Sequence, residues 1–175
     1  MAHQRRQFLH LAAGAAVLPA IALLPANAIA QQRSLKEQLV GTWALVVCEV
    51  VAPDGAKTPL VVGRNPAGQY IFTPDDHFSF QAAAELPRFA SGENRKTTPE
   101  ENKAVVEGSI AYYGTYTAND AERTVTLHIE RSSFPNLNGS DGKRIITALT
   151  ADDMSYINPA RRGGGAINCA YRRAK

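Results

Sequence analysis

Through most of the chain, short stretches of alternating apolar and polar residues are separated by turn residues. The clearest is the stretch 123–131, where Val, Leu and Ile alternate with Thr, His and Glu. A period of two residues is typical of a β-strand with one buried face. Other stretches are short, rich in β-branched or aromatic residues, and bounded by Gly, Pro, Asn or Asp, which also predicts strands. The nine predicted strands cover 43–51, 58–62, 68–73, 77–83, 115–118, 123–131, 144–149, 154–158 and 167–172.

Two stretches predict helices instead. A capping box at 34–37 predicts a short helix that ends near Gly41. A second capping box at 98–101, with Pro in the first turn, begins a longer helix. The spacing of apolar residues predicts that this helix extends to about Tyr113 and ends at Gly114. Many short strands with few helices favour a mostly β sandwich or barrel, and a barrel can enclose a ligand.

The first thirty residues predict a cleavable export signal rather than part of the fold. Two adjacent arginines precede an uncharged apolar run at 11–24, and small residues follow it. This order is typical of a secretory signal, cut here after Ala28 or Ala30. The apolar run is marginal in length for a membrane span, so we expect no stable anchoring after cleavage. The predicted domains are a signal peptide at 1–30 and a mature domain at 31–175.

The start of the signal resembles the twin-arginine export motif. Residues 4–10 read QRRQFLH, with paired arginines before Phe and Leu and with His10 where the motif prefers Lys. The resemblance implies a bacterial protein that folds before crossing the membrane. Its expected location is the periplasm or the outside of the cell.

Charge and cysteine content narrow the function of the mature domain. Without the two signal arginines, 17 basic residues face 16 acidic ones. Because the domain is nearly neutral, we expect neither nucleic acid nor an acidic membrane as a partner. Cys48 and Cys169 lie near opposite ends of the mature chain. They either form a disulfide in an oxidising compartment or are two small buried apolar residues.

Several motifs, taken in order, resemble the bacterial lipocalin-like domain family. They are GTW at 41–43, YIFTPD at 70–75, PRFASG at 87–92, TPEEN at 98–102, IAYYGTY at 110–116 and SFPN at 133–136. The resemblance extends from about residue 39 to residue 172. It implies a lipocalin-like up-and-down β-barrel of about eight or nine strands, with one inserted α-helix and a short N-terminal helix. One departure is Leu137, where family members often carry Trp. If that Trp shapes the mouth of the pocket in the family, the ligand of this chain differs from theirs.

The mature chain carries little that suggests metal or nucleophilic catalysis. Its two histidines, His77 and His128, are not spaced as metal ligands, and no Gly-x-Ser-x-Gly elbow is present. We therefore expect neither a metal nor a cofactor.

The polar face of the sixth predicted strand allows two interpretations. If its Val, Leu and Ile residues face the barrel interior, Thr126, His128 and Glu130 are solvated. If the polar face lines a cavity, His128 and Glu130 form a candidate catalytic acid–base pair, and Arg144 pairs with Glu130 or holds an anionic ligand. Periodicity favours the solvated interpretation. The resemblance favours the interior, because His128, Glu130 and Asn136 match polar positions typical of the family.

Aromatic residues supply the remaining candidates. A ligand cavity needs apolar walls with a few polar anchors, and Tyr provides both a ring and a hydroxyl. The alternative is that these rings simply fill the core. The predicted ligand-binding residues are Phe80, Tyr112, Tyr113, Tyr116, His128, Asn136 and Arg144.

Three functions remain open at this point. The protein binds a small apolar or amphipathic molecule, or it is an isomerase, cyclase or hydratase that uses His128 and Glu130 in the barrel. In the third interpretation the barrel is filled by its own side chains and serves as a structural or interaction module. The position of His128 and the presence of a cavity separate these alternatives; the ligand's identity and the oligomeric state stay open.

Overall fold

The described part of the chain comprises residues 33–93, 95–159 and 164–175 of a computed structural model. The predicted signal peptide and its cleavage sites lie outside these ranges. Within them, no helix has the length and hydropathy needed to cross a membrane.

The described residues contain nine strands and two α-helices. The helices are α1 at Leu35–Leu39 and α2 at Pro99–Gly108, and a 3₁₀ turn spans Pro135–Leu137. The strands are β1 Gly41–Val51, β2 Lys57–Pro59, β3 Arg64–Phe72, β4 His77–Glu85, β5 Ser109–Asn119, β6 Thr124–Ser132, β7 Ser140–Leu149, β8 Asp153–Asn158 and β9 Ala166–Arg173.

Eight of these strands close into an antiparallel barrel. Strands β3 to β9 form a continuous meander, and β1 pairs with β3 along one edge and with β9 along the other. The ninth strand, β2, is a short addition that pairs with the last residues of β1. The predicted lipocalin-like up-and-down barrel, with its inserted helix and short N-terminal helix, is confirmed.

Alternation along the strands gives the barrel an aromatic interior. In β4, Phe78 and Phe80 are buried, while His77 and Gln81 on the opposite face are exposed. From β3, the ring of Tyr70 reaches the same core, and its centroid lies 5.2 Å from that of Phe80. Because large rings bury much apolar area, these contacts stabilise the closed sheet.

The predicted end of α2 is wrong. Its N-terminal capping box forms as predicted, but the helix ends at Gly108 and β5 begins at Ser109. Residues 109–115 pair instead with β4. The ladder hydrogen bonds and the inward burial of alternate side chains outweigh the helical spacing of the apolar residues. Gly114 lies within β5, where the backbone of β6 approaches too closely for any Cβ atom.

The helix α1 and Arg173 seal one end of the barrel. The α1 capping box is present as predicted, and the helix buries Leu35 and Leu39. Trp43 donates its indole N–H to the carbonyl oxygen of Leu39 at 2.8 Å. The Arg173 guanidinium lies 4.0 Å from the centre of the Trp43 ring and donates to the carbonyl oxygens of Val40 and Gln38.

A disulfide joins the first and last barrel strands. Cys48 in β1 lies directly opposite Cys169 in β9, and their sulfur atoms are bonded. Of the two alternatives left by the sequence, the structure therefore has the disulfide. The covalent link lies in the pairing that closes the sheet.

We expect Arg173→Lys to lower the free energy of unfolding by about 1–3 kcal/mol. Lysine cannot donate to two carbonyl groups while it stacks flat on the indole ring. Urea unfolding followed by the fluorescence of Trp43, the single tryptophan, measures the change. The neighbouring Arg172→Lys is the matched control, because Arg172 is exposed on the outer face. Equal effects of the two substitutions would contradict this account of the sealed end.

Candidate functional site

A cavity of about 420 Å³ occupies the barrel end opposite α1. The helix α1 contacts Asp120 in the β5–β6 turn, whereas the cavity is lined from the β6–β7 loop. Successive turns of an antiparallel meander lie at opposite ends of the strands, so the cavity and α1 are at opposite ends. Apolar side chains form most of its wall, namely Leu60, Ile110, Ile129, Phe134, Leu137 and Ile167.

Strand β7 brings Arg144 into this cavity. Along the strand, Asp141, Lys143 and Ile145 are exposed, while Arg144 and Ile146 are buried. Arg144 is only 6% exposed and lies opposite the buried Val125 of β6. Strand alternation therefore places a guanidinium group inside the barrel.

The guanidinium of Arg144 has few partners. One terminal nitrogen, Nη1, donates to the carbonyl oxygen of Lys143 at 3.1 Å. The other, Nη2, lies 3.4 Å from the hydroxyl oxygen of Tyr112, which is a long hydrogen bond. The group also lies 5.5 Å from the centre of the Tyr156 ring. Its buried Nε atom has no hydrogen-bond partner among the described residues.

Four buried tyrosines surround this side of the cavity and the core beneath it. Tyr112 and Tyr156 line the cavity, and the Tyr156 hydroxyl lies 3.1 Å from the hydroxyl of Tyr171. Burial raises the pKa of Tyr156 to about 12 and the pKa of Tyr70 and Tyr171 well above the usual value. These hydroxyls are therefore neutral at physiological pH and supply no counter-charge to Arg144.

Two of the predicted ligand-binding residues, Tyr112 and Arg144, line the cavity. Phe80 is buried behind Tyr112, with ring centroids 4.8 Å apart, and belongs to the core. Tyr116 is also buried, but its hydroxyl donates to the carbonyl oxygen of Thr73, in the turn after β3 near the sealed end. These two rings therefore fill the core, as the alternative interpretation held, and do not line the cavity.

Tyr113 and Asn136 lie outside the cavity lining. The Tyr113 side chain points outward from β5 and is 51% exposed. Asn136 is exposed in the 3₁₀ turn, between cavity residues Phe134 and Leu137. The expectation that Tyr113 faces a ligand is wrong because it occupies the outward position of the alternation.

His128 and Glu130 are both exposed on the outer face of β6, so the solvated one of the two interpretations holds and neither side chain lines the cavity. Beyond the buried Thr124 at its start, the buried side chains of this strand are Val125, Leu127 and Ile129, as periodicity predicted. The Nδ1 atom of His128 lies 2.9 Å from a carboxylate oxygen of Asp141, also on the outside. The pairing of Arg144 with Glu130, which required the polar face to be inside, does not form, since the two side chains lie on opposite faces.

Sequence reasoning missed several cavity residues. Tyr156 pairs across the sheet with Ile146, and Ile167 pairs with Asn158. The alternation of residues 154 and 156 in β8 is a signal that could have identified Tyr156. Leu60 and Phe134 come from loops, where no periodicity exists to point them inward.

No metal-binding constellation accompanies the cavity within the part of the chain that the structure describes. Groups of three or more His, Cys, Asp or Glu side chains in metal-binding geometry do not occur there.

A closed eight-stranded meander with a cavity at one end defines a lipocalin-like β-barrel. The sequence profile of the family described as "Lipocalin-like domain" matches residues 40–162. The chain therefore belongs to the lipocalin-like domain family. No curated protein matches it significantly.

Two solved structures similar to the chain are designed proteins. The redesigned β-barrel b11L5F_LGL has 14% sequence identity and a TM-score of 0.45, over 82% of this chain and 98% of the design. The redesigned β-barrel mFAP1, bound to DFHBI, has 16% identity and a TM-score of 0.42, over 81% of this chain and 100% of the design.

The buried tyrosines predict a loss of stability at alkaline pH. A tyrosine whose pKa is raised on folding contributes its full stability below the unfolded pKa near 10, and loses it as pH rises towards the folded value. With a folded pKa of about 12, Tyr156 should account for about 2–3 kcal/mol lost between pH 10 and 12. Urea unfolding across this range should show a shallower loss for Tyr156→Phe. Tyr113→Phe, on the outer face, should keep the wild-type profile; the same shallower loss in both variants would refute the assignment.

Proposed function

We propose that this protein binds a small, largely apolar molecule in the cavity of its barrel. The observation that carries the proposal is the cavity itself, about 420 Å³ in volume, with apolar walls and few polar groups. Pockets for small molecules typically have volumes of roughly 300–1,000 Å³ and this mixture of lining residues. Membership of a lipocalin-like family fits a binding role in general.

The cavity argues against a barrel filled entirely by its own side chains. The end beneath α1 is packed by Trp43, Leu39 and the aromatic core, whereas the cavity lies at the opposite end. The isomerase or hydratase hypothesis depended on His128 and Glu130 facing the cavity, and both are on the outer face. Binding is the function that the described geometry supports best.

A neutral fluorescent probe tests the proposal. N-phenyl-1-naphthylamine should bind with a rise in fluorescence, because the apolar cavity shields it from water. Ile167→Trp fills the cavity wall and should weaken this binding about 10-fold, as overpacking does in a core.

The control for that substitution is Val46→Trp, which adds the same ring on the outer face of β1, where Val46 is 59% exposed. It should bind the probe as the wild-type protein does. No binding by the wild-type protein, or equal binding by both tryptophan variants, would exclude the cavity as the site.

We also infer that the protein is exported in folded form by the twin-arginine route. The QRRQFLH segment at 4–10 supports this inference, and the Cys48–Cys169 disulfide supports an oxidising compartment. The two cysteines are opposite each other in the β1–β9 ladder. Folding alone therefore brings the thiols together, and oxidation after export only needs to join them.

Substituting both signal arginines tests the route. The precursor carrying Arg5→Lys and Arg6→Lys should stay in the cytoplasm of a bacterial host, whereas the unaltered precursor reaches the periplasm. The matched control is the pair Arg161→Lys and Arg162→Lys, which should be exported normally. Cell fractionation with immunoblotting gives the result; undiminished export of the first variant would favour the general secretion route instead.

A further inference from the structure

The cation of Arg144 is buried without a carboxylate of its own chain. No described aspartate or glutamate forms an ion pair with it. The residues outside the described ranges include no Asp or Glu at all. Asp141, the acidic residue nearest in the lining, lies on the outer face and is hydrogen-bonded to His128. Nothing acidic in the described protein neutralises the guanidinium.

A buried arginine without a counter-charge is unusual. Charged side chains in protein interiors are normally paired and fully hydrogen-bonded, because removing them from water is costly. The guanidinium has five N–H donors. In Arg144, Nη1 and Nη2 each donate one hydrogen bond, one of them 3.4 Å long, and Nε donates none.

Arg173 shows how the same fold satisfies an arginine that has a structural role. Its guanidinium donates to three main-chain carbonyl groups and lies over the ring of Trp43. Arg144 has one carbonyl acceptor among the described residues, that of Lys143, and its side chain lines the cavity. The incomplete set of partners therefore marks Arg144 as a group that binds something else.

The surroundings of Arg144 define the chemistry of that partner. It is the single basic residue among the described residues that line the cavity, so it matches one negative charge. A planar carboxylate can accept from two guanidinium N–H groups at once. A phosphate dianion would bring a second negative charge that no other cation in this described lining meets. The apolar walls above Arg144 fit a body without further charge.

We propose that Arg144 binds the carboxylate of a singly charged amphipathic acid whose apolar part fills the cavity. The inference deepens the proposed binding function and rests on it. Tyr112 and Tyr156 lie beside the guanidinium and can each donate a hydroxyl hydrogen to the same carboxylate. Leu137 and Ile167 contribute apolar wall to the same cavity.

Matched acids and alcohols test this inference on the mature, disulfide-bonded protein. Decanoate and decanol represent a flexible chain, and 2-naphthoate and 2-naphthalenemethanol represent a flat aromatic body. Calorimetric titration should show that Arg144→Met lowers the affinity for the acids relative to the alcohols by roughly 10- to 100-fold. Whichever acid shows the effect identifies the kind of body that the cavity accepts.

Lys143→Met is the matched control. It also removes one positive charge, from the adjacent residue, but Lys143 is exposed and paired with Glu122 at 2.8 Å. The ratio of acid to alcohol affinity should change less than about twofold, since only screened surface charge is lost. Equal shifts in the two variants would mean that general electrostatics, rather than the buried guanidinium, attracts the acid.

Stability supplies a second measurement. Because the buried cation is unpaired, Arg144→Met should unfold at a urea concentration equal to or above that of the wild-type protein. A structural role for Arg144 predicts clear destabilisation instead, and that result overturns the inference. Arg144→Lys retains the charge without the planar fork and should lose part of the preference for acids.

Probe binding by the wild-type protein separates failure of this inference from failure of the proposed function, whether or not a variant folds. Binding of N-phenyl-1-naphthylamine and of the alcohols, with no binding of either acid, overturns the acid inference and leaves the proposed function standing. If no probe binds, the proposed function itself fails. Binding of either acid that depends on Arg144 supports both.

Discussion

The pairing of β1 with β9 is the constraint on which the rest of this structure depends. It turns a meander of short strands into a closed barrel, so that strand alternation becomes a division between interior and solvent. The Cys48–Cys169 disulfide lies within this pairing and holds the first and last strands together. Without closure, Arg144 would lie on one face of an open sheet, and its charge would cost little.

Within the closed barrel the two ends differ. At one end α1, Trp43 and Arg173 form a seal in which every part contacts another. At the other end lies a cavity with mostly apolar walls. Arg144, Tyr112 and Tyr156 are among the polar residues of its lining. The two inward-facing arginines thus differ in how completely their guanidinium groups are hydrogen-bonded. Arg173 is satisfied by the fold, whereas Arg144 has an unpaired Nε and no carboxylate partner among the described residues.

Local patterns predicted much of the fold but little of the site. Alternation predicted the strands and the outward face of His128, and capping boxes predicted both helix starts, because these signals act over a few residues. The end of α2 depends on pairing with β4, which helical spacing of apolar residues cannot reveal. The partners of Arg144 depend on the register of β5, β7 and β8, and the disulfide depends on that of β1 and β9. Such long-range registers have no local signature, so Arg144 and Tyr112 were predicted separately, without their contact, and Tyr156 was missed.

The central claim is that the guanidinium of Arg144 forms an ion pair with the carboxylate of a ligand bound inside the barrel. Carbon-13 NMR of decanoate labelled at its carboxyl carbon tests it most directly, because the chemical shift reports ionisation of the bound acid as the pH is lowered. The account predicts that bound decanoate stays ionised at pH values at which the free acid is already protonated, since a buried cation favours the charged form. A bound carboxyl group that titrates like the free acid, or at higher pH, would contradict it.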